Sequence, residues 1–421
     1  MAAVKVPQLM PLEKAGPKGF VRYMFPFQLA DDYKQEEVLK VLKESFEETK
    51  KRLPVLACEA VPDTESTQGA SSSSNMAIGY FDADSMTRRP VWPTPGERLP
   101  ITELQANFIR GGVILNWCIL HIIGDGKTFQ KMLEVWAEEC QKAQGLTIDS
   151  PVQLGPELFD KSRVNIAAFV PTAAPPKMMS PSHRAEVFYF SPASLAQLKK
   201  DANPSLASTK SEDVKWISTN DALSALLWHT VMEVQHPLGR LEGNPLSVFN
   251  IAINGRARAD PPHPTDMLGC FLEYVAISMP IRTMLMTYNL SDIAVSIRRT
   301  INKMEAGKNW TDDVVALFER VPDVNQLVAT AFLDVPGNHC VKTSWIGFEM
   351  YKLRWGPMFG DIMGAVRCPN VGVINGLQVV FPALPEDSGG GLEVLIGVET
   401  DALPRLGGNE LWNKYAVARR G

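Results

Sequence analysis

The feature that most constrains the fold is a strand, a tight turn and a helix that follow one another between residues 112 and 144. Gly112 to Leu120 is rich in β-branched and aromatic residues, which predicts a buried strand. Thr128 to Gln144 instead spaces its apolar residues at helical intervals. The short segment His121 to Gly126 must therefore turn the chain from a strand into a helix.

The remaining sequence alternates helical and strand-like patterns in the same way. Glu36 to Lys51 predicts an amphipathic helix, and Thr219 or Asn220 is a suitable N-cap for a second helix that runs through Glu233. Strand-like runs follow at Leu246 to Ile253, Val275 to Met279, Gly376 to Phe381 and Leu392 to Val398. This alternation predicts a mixed α/β fold.

Two segments have the composition of connections rather than of packed structure. Six prolines occur between residues 151 and 181, which disfavours helix interiors and central strands there. We therefore expect two domains, an N-terminal lobe of residues 1–180 that ends in a proline-rich crossover and a C-terminal lobe of residues 181–421. Thr64 to Asn75, which includes four consecutive serines, predicts a flexible surface loop.

The charge of the chain argues against one class of function. Its 421 residues include 42 Lys and Arg against 47 Asp and Glu, a net charge of −5, and these residues are spread along the sequence. Proteins that bind nucleic acids neutralise phosphates with clustered basic residues. We therefore expect no nucleic-acid partner.

The cysteines and the apolar stretches of the sequence indicate in which cellular compartment the protein resides. The six cysteines form no C-x-x-C pair, which argues against a zinc ribbon or a disulfide ladder and favours free thiols. Met1 to Lys18 lacks the apolar core of a secretory signal. The longest apolar stretch, Gly111 to Gly124, is too short for a membrane helix. The sequence thus predicts a cytoplasmic protein that does not bind membranes.

His121 is the residue of the turn best suited to chemistry. A neutral imidazole accepts a proton from an attacking hydroxyl or amine near neutral pH, an effect worth about 10² to 10⁴ in rate. Asp125 has two candidate tasks: it holds the imidazole directly, or it turns away toward an arginine and fixes the loop. The alternative for the whole segment is a core histidine with a satisfied hydrogen bond beside an Asp-Gly turn.

Other catalytic and ligand-binding motifs do not fit. Gly124 to Thr128 resembles the end of a phosphate-binding P-loop, but the first glycine of that motif would fall on His121. The triple glycine at 389–391 does not continue into a dinucleotide-binding fingerprint, because position 394 is valine. The sequence has no G-x-S-x-G elbow, and the glycines around Asp125 are poor helix formers for a helical metal site. A covalent or metal-dependent mechanism therefore has little support.

The turn and several distant segments together resemble the BAHD acyltransferases, and among them the fungal, trichothecene O-acetyltransferase-like members. His121 to Gly126 is similar to the HxxxDG motif of that family, and Leu53 to Ala57 to its LP-x-LAG segment. Ser218 to Trp228 resembles the STxDALxALLW helix start, Asn254 to Arg258 the NxRxR turn, and Thr343 to Trp345 the TSW strand. These segments follow the family's order and span nearly the whole chain.

The resemblance implies a fold and a reaction. The fold would be two chloramphenicol-acetyltransferase-like lobes with mixed sheets and a central interdomain channel. The reaction would move an acyl group from a coenzyme A thioester to an alcohol or amine without a covalent acyl-enzyme. His121 would be the general base, in a catalytic motif completed by Asp125 and Gly126. Thr343 and the indole N–H of Trp345 would stabilise the oxyanion, and the alternative for both is packing of the strand.

The resemblance also assigns residues to binding and support. Asp125 would pair with Arg256 or Arg258, and this pair would fix the catalytic loop; otherwise the two arginines lie on a solvated turn. Ser218 and Thr219 fall where the family lines its coenzyme A channel, although capping of the helix explains them equally well.

Two positions depart from the family's pattern. Its DFGWG signature is represented here by Arg354 to Gly360, and because arginine replaces the acidic first residue we expect an ion pair to be lost. Trp355 and Gly356 of this segment are interpreted as structural. Cys270 stands where relatives usually carry asparagine.

These observations lead to one hypothesis and two alternatives. We expect a monomeric O-acyltransferase that moves an acyl group, acetyl in the first instance, from acetyl-CoA or another acyl-CoA to a hydroxyl of a secondary metabolite. We expect no bound cofactor and no metal. One alternative is a coenzyme A-independent condensing or cyclising enzyme, although Leu120 occupies the position of the second histidine usual in stand-alone condensation domains. The other is a non-catalytic small-molecule binder, which Arg354 brings into consideration.

Overall fold

The structure is a computed structural model that describes residues 12–13, 17, 19–60, 86–90, 93, 99–156, 183–208, 212–307, 309–322, 337–369 and 376–419. The chain divides into two compact units. Unit 1 comprises Met1–Pro175, Leu268–Cys270 and Lys352–Val371, and unit 2 comprises Pro176–Met267, Phe271–Tyr351 and Gly372–Gly421. The expected boundary between residues 180 and 181 and the expected loop at 64–75 lie outside the described residues.

Two segments join unit 1 from far along the sequence. Lys352–Val371 and Leu268–Cys270 belong to unit 1, whereas a division at residue 180 assigns both to the C-terminal lobe. The reason is backbone pairing: Met24 and Arg367 exchange hydrogen bonds of 2.8 and 3.0 Å, and the N–H of Leu268 donates to the carbonyl of Pro156 at 2.9 Å. A single boundary in the sequence therefore does not separate the two units, because these two later segments belong to unit 1.

Unit 1 is built from short antiparallel sheets and two long helices. Its elements are β1 (Phe20–Gln28), α1 (Gln35–Arg52), β2 (Glu59–Ala60), β3 (Leu99–Pro100), β4 (Thr102–Ile109), β5 (Gly112–Leu120) and α2 (Gly126–Ala143). Strands β1, β5 and β4 form an antiparallel sheet in that order, and β2 pairs with β3. Every residue of the central strand β5 is buried. The predicted sequence of strand, turn and helix is therefore confirmed.

Helices α1 and α2 pack against each other and share a buried polar contact. The indole N–H of Trp136 donates to Ser45 Oγ at 3.1 Å. At the end of α1, Arg52 donates to Glu138 and Glu139 at 2.8 and 2.7 Å, and both carboxylates are almost fully buried. Removing one partner of a buried ion pair costs about 3–5 kcal/mol, so this cluster fixes how the two helices align.

The described residues of unit 2 form one large sheet with helices packed against it. Its elements are β6 (His183–Phe190), α3 (Pro192–Asp201), α4 (Thr219–Gln235), β7 (Leu246–Asn254), β8 (Leu272–Pro280), α5 (Ile281–Thr287), α6 (Leu290–Ala306), α7 (Trp310–Arg320), β9 (Cys340–Ser344), β10 (Leu377–Val380), β11 (Leu392–Glu399), α8 (Ala402–Gly407), α9 (Glu410–Asn413) and β12 (Val417–Ala418). In the described residues, seven strands pair in the order β12-β6-β11-β10-β9-β7-β8. Strand β9 is parallel to both of its neighbours and the other pairs are antiparallel, which confirms a mixed sheet in a mixed α/β fold.

Helix α4 lies in the core of unit 2 because its sequence is apolar on almost every side. Leu223, Leu226 and Trp228 are fully buried. The N-cap of α4 is Ser218, so the predicted caps Thr219 and Asn220 are wrong by one and two residues.

Two further predictions concern cysteines and membranes. All six cysteines lie in the described ranges and are free thiols. Among the helices that the structure describes, none is both long enough and apolar enough to cross a bilayer.

Candidate active site

His121 lies at the point where β5 ends in unit 1. The residue follows Leu120 directly and begins a 3-10 turn, His121–Ile123. Its backbone N–H donates to the carbonyl of Gly19 at 2.9 Å, which extends the pairing of β1 and β5 by one residue. The half-buried ring packs edge-on against Phe129 of α2, with 5.4 Å between ring centroids. The strand therefore fixes the backbone of His121 and the helix fixes its ring.

A backbone carbonyl determines which nitrogen of His121 carries the proton. Nδ1 lies 3.0 Å from the carbonyl oxygen of Gly124. A carbonyl only accepts hydrogen bonds, so Nδ1 is the protonated nitrogen and Nε2 carries the lone pair. Within the described residues Nε2 makes no hydrogen bond. The ring is therefore in the tautomer whose Nε2 accepts a proton.

The charge state of His121 follows from its surroundings. Burial lowers the pKa of the imidazole below its ordinary value, and the bond to the carbonyl of Gly124 and the charge of Asp125 oppose this shift without cancelling it. The imidazole is thus neutral at pH 7, which is the state that a general base requires.

Asp125 caps the helix that follows the turn. Its backbone is extended, and its Oδ1 accepts a hydrogen bond of 3.1 Å from the N–H of Thr128 in the first turn of α2. The residue is buried. Because the carbonyl of Gly124 occupies the Nδ1 proton of His121, the carboxylate of Asp125 does not hold the imidazole through that atom. The structure thus shows Asp125 as the N-cap of α2, and its pairing with an arginine stays a prediction.

Two glycines of the motif serve the turn. A Cβ at Gly124 would lie 2.7 Å from Thr128 Cγ2 and 3.2 Å from Phe129 Cε1, so the helix approaches too closely for a side chain. Gly126 is the first residue of α2. His121, Asp125 and Gly126 are therefore brought together by one continuous turn.

A distant segment of unit 1 is bonded to the same turn. The hydroxyl of Thr128 donates to the carbonyl of Gly269 at 2.8 Å and accepts from its N–H at 3.0 Å. The N–H of Asp125 also donates to that carbonyl, at 3.3 Å. Sequence reasoning did not select Thr128 or Gly269, because no local pattern connects two positions that are 141 residues apart.

In unit 2, Thr343 and Trp345 lie at the end of β9. Thr343 is half-buried and belongs to the strand. Trp345 is buried and is the first residue after the strand ends. The backbone N–H of Trp345 donates to the carbonyl of Val380 at 2.8 Å. The indole ring of Trp345 packs edge-on against Phe381, with 5.8 Å between ring centroids. The parallel pairing of β9 with β10 therefore fixes this strand end.

Ser218 and Thr219 lie at the start of α4. Ser218 Oγ accepts from the N–H of Asp221 at 3.1 Å, and the carboxylate of Asp221 accepts from the N–H of Ser218 at 2.7 Å. This reciprocal capping box gives Ser218 a structural role, and Thr219 is the first residue of the helix. Arg298 of α6 donates to Asp221 and to Ser218 Oγ, so the helix start is held by a buried ion pair.

The arginines of the turn after β7 differ in their surroundings. Arg256 is 1% exposed, stacks 4.4 Å from the ring of Phe271, and donates from Nε to the carbonyl of Met267 at 2.8 Å. Arg258 donates to the carbonyl of Asn254 at 2.6 Å and faces a carboxylate oxygen of α6 at 3.4 Å. The alternative that both arginines lie on a solvated turn is therefore wrong for Arg256.

The segment that represents the second family signature packs in unit 1. Trp355 is fully buried between Phe27 and Trp136, with ring centroids 5.2 Å from each. Gly356 has φ +87, and a Cβ there would lie 2.5 Å from the side chain of Gln144, at the far end of α2 from Asp125. Both residues thus contact the end of the helix opposite to the histidine turn.

Arg354, the residue that departs from the signature, has an ion partner. Its Nη1 lies 2.6 Å from the carboxylate of Asp361, and both side chains are exposed. Arg354 therefore forms an exposed ion pair within its own segment, and the loss of the family's ion pair stays a prediction.

Comparison with known proteins identifies a matching family model and related sequences. A family model described as "Transferase family" matches residues 84–403. An enoyl-CoA isomerase/hydratase of Penicillium crustosum is 25% identical over 407 residues, which cover 86% of this chain and 45% of that protein. An eremophilane O-acetyltransferase of Penicillium roqueforti is 25% identical over 378 residues, covering 80% of this chain and 76% of that protein.

A solved structure has the same fold. The Fusarium graminearum protein TRI101, complexed with coenzyme A and deoxynivalenol, superposes with a TM-score of 0.75 at 18% identity, covering 99% of this chain and 100% of that chain. The family model covers well over half of the 421 residues, including the turn of His121 and the end of β9. The chain belongs to this transferase family, the BAHD-type acyl-CoA-dependent acyltransferases.

Proposed function

We propose that this protein is an O-acyltransferase that moves an acyl group, acetyl in the first instance, from acyl-CoA to a hydroxyl of a secondary metabolite. The acetyltransferase relative from Penicillium and the coenzyme A bound by TRI101 support the donor and the reaction class. The acceptor is then a small molecule that carries an alcohol or amine. Neither a metal nor a bound cofactor enters the proposed reaction.

The observation that carries the proposal is the hydrogen bond from Nδ1 of His121 to the carbonyl of Gly124. It favours the tautomer whose Nε2 takes the proton of the acceptor hydroxyl as its oxygen attacks the thioester carbonyl. The tetrahedral oxyanion then collapses, the C–S bond breaks, and the proton passes from Nε2 to the leaving thiolate. The products are an ester and coenzyme A, with no acyl-enzyme.

Thr343 and Trp345 are the proposed donors to the oxyanion. Both lie at a strand end whose backbone is fixed by pairing with β10, and pre-set donors of this kind contribute about 3–4 kcal/mol each to transition-state stabilisation. Ser218 and Thr219 are the proposed contacts of coenzyme A, because the N-terminus of α4 favours groups with negative charge.

Asp125 and an arginine are proposed to support the catalytic turn. Of the two candidates, Arg258 already faces a carboxylate of α6, whereas the guanidinium of Arg256 is buried and stacked on Phe271. Because two opposite charges attract more strongly when they are buried, Arg256 rather than Arg258 is the proposed partner of Asp125.

The test is release of coenzyme A from acetyl-CoA in the presence of candidate alcohols. Wild-type protein is expected to release thiol only when acceptor is present, and His121→Asn is expected to lose about 10² to 10⁴ of this rate. Asparagine keeps a donor for the Gly124 carbonyl but has no basic nitrogen. His236→Asn is the matched control, because the ring of His236 also bonds to a glycine carbonyl, at 3.0 Å, outside the motif.

The same experiment separates the alternatives. Protection of the protein against thermal unfolding by acetyl-CoA supports the proposed donor, since a ligand of the native state stabilises it. Protection without thiol release would identify a binding protein, and absence of protection would favour a condensing enzyme that takes no coenzyme A. We further propose that the protein acts as a monomer in the cytoplasm, which size-exclusion chromatography and cell fractionation test.

A further inference from the structure

A buried lysine lies beside the proposed oxyanion donors without a part in the reaction. Lys342 is the central residue of β9, immediately before Thr343, and its relative exposure is 0%. Burying an ammonium group costs several kcal/mol unless it is paired and hydrogen-bonded. An apolar residue would fill this core position without that cost.

The amine of Lys342 is bonded to the first two turns of α4. Nζ donates to Asn220 Oδ1 at 2.5 Å and to Ser224 Oγ at 2.6 Å. The two acceptors are four residues apart and so lie on one face of the helix. The hydroxyl of Ser224 in turn donates to the backbone carbonyl of Asn220 at 2.6 Å. Lys342 therefore ties the strand to the N-terminal end of the helix.

Two further charged residues, Asp221 and Arg298, also stabilise the start of α4. Burial lowers the pKa of Lys342 to about 7, opposed by the carboxylate of Asp221 on α4. Arg298 on α6 pairs with Asp221. The residues that pair with Lys342 on β7 and β10 are Ile251 and Gln378, and neither of them is ionisable. The helix start is thus fixed between Arg298 and Lys342.

We infer that Lys342 is a positioning residue that holds the end of β9 at a fixed distance from the start of α4. The end of β9 carries Thr343 and Trp345, and the start of α4 carries Ser218 and Thr219. The inference rests on the proposed function, in which the strand end stabilises the oxyanion and the helix start binds coenzyme A. An apolar residue at position 342 would preserve the core but would remove this link.

The test compares Lys342→Met with Gln378→Met. Gln378 is equally buried and lies on β10, where it pairs with Lys342 of the neighbouring strand β9. Its side-chain amide has no hydrogen-bond partner among the described residues. Lys342→Met is expected to unfold cooperatively at a temperature no lower than wild type. Its kcat is expected to fall about tenfold and its KM for acetyl-CoA to rise, since small misplacements cost up to about 10²-fold. Gln378→Met is expected to keep both constants within about twofold.

Ser224→Ala alone removes one acceptor of the Lys342 amine and keeps the inference testable if Lys342→Met does not fold, and a double-mutant cycle adds a second test where it does fold. Ser224→Ala alone is expected to lower kcat, and it is expected to have no further effect in the Lys342→Met background, because both changes break one link. Unchanged kcat and KM in either single variant, or equal losses in Lys342→Met and Gln378→Met, would overturn the inference alone. A wild-type protein without turnover would overturn the proposed function, and this inference with it.

Discussion

The hydroxyl of Thr128 both donates to and accepts from the backbone of Gly269, at 2.8 and 3.0 Å. This pair of bonds joins the first turn of α2 to a segment that arrives from the other half of the sequence. The same carbonyl accepts from the N–H of Asp125. The turn that carries His121 is therefore held by distant chain as well as by its own helix cap.

We predict that Thr128→Val destabilises unit 1 by about 2 kcal/mol, because the two buried hydrogen bonds between the Thr128 hydroxyl and the backbone of Gly269 are lost. Thr128→Ser keeps the hydroxyl and is the control, with an expected loss of about 1 kcal/mol for the missing methyl group. Urea unfolding measures both. A Thr128→Val protein as stable as Thr128→Ser would show that these bonds contribute nothing measurable.

We predict that Asp125→Ala lowers the free energy of unfolding by about 1 kcal/mol more than Asp125→Asn does, because both variants lose the charge of Asp125 and only alanine also loses the N-cap of α2. Thermal or chemical unfolding of both variants gives the comparison. Equal losses in the two would mean that the charge of Asp125, and not its cap, stabilises the turn.

The pH dependence of turnover should report His121. Burial lowers the pKa of this imidazole, and protonation below that pKa removes the lone pair that accepts the proton. We expect kcat/KM to be flat near neutral pH and to fall about tenfold per pH unit only below about 6.5. A profile of kcat/KM between about pH 4.5 and 8 tests this, and a midpoint above 6.5 would contradict it.

The stability of the protein should depend on the charge of Lys342. Its pKa is lowered from 10.5 to about 7 in the folded state, so between these values the unfolded chain binds more protons than the native protein. Stability contributed by this group therefore rises with pH across that window. We predict that Lys342→Met is more stable than wild type at pH 7 and that the difference shrinks toward pH 10. A difference that stays constant from pH 7 to 10 would be inconsistent with a lysine whose pKa is lowered by burial.

The parts of the fold that local pattern encodes were predictable from the sequence. The apolar run of β5 and the helical spacing of α2 place His121 and Asp125 at one turn, and the structure has both elements. The sequence predicts that α4 is capped by residue 219 or 220, which is one or two residues late. The observed cap is Ser218, because its capping box with Asp221 outweighs the other two candidates.

Other features depend on contacts that no local pattern records. The bonds between Thr128 and Gly269 join positions 141 residues apart, and residues 352–371 return to unit 1 although they follow most of unit 2. Lys342 interrupts an otherwise ordinary strand sequence, where a lysine predicts a solvent-facing position. Its burial becomes evident only when Asn220 and Ser224 are in place.

The most direct measurement is a long-range ¹H–¹⁵N NMR titration of the histidine rings, with His121→Asn used to assign the signals of His121. We predict that at pH 7 the ring is neutral, with its proton on Nδ1 and none on Nε2, and that it becomes charged only below about pH 6.5. A ring that is charged at pH 7, or that carries its proton on Nε2, would contradict the assignment of His121 as the general base.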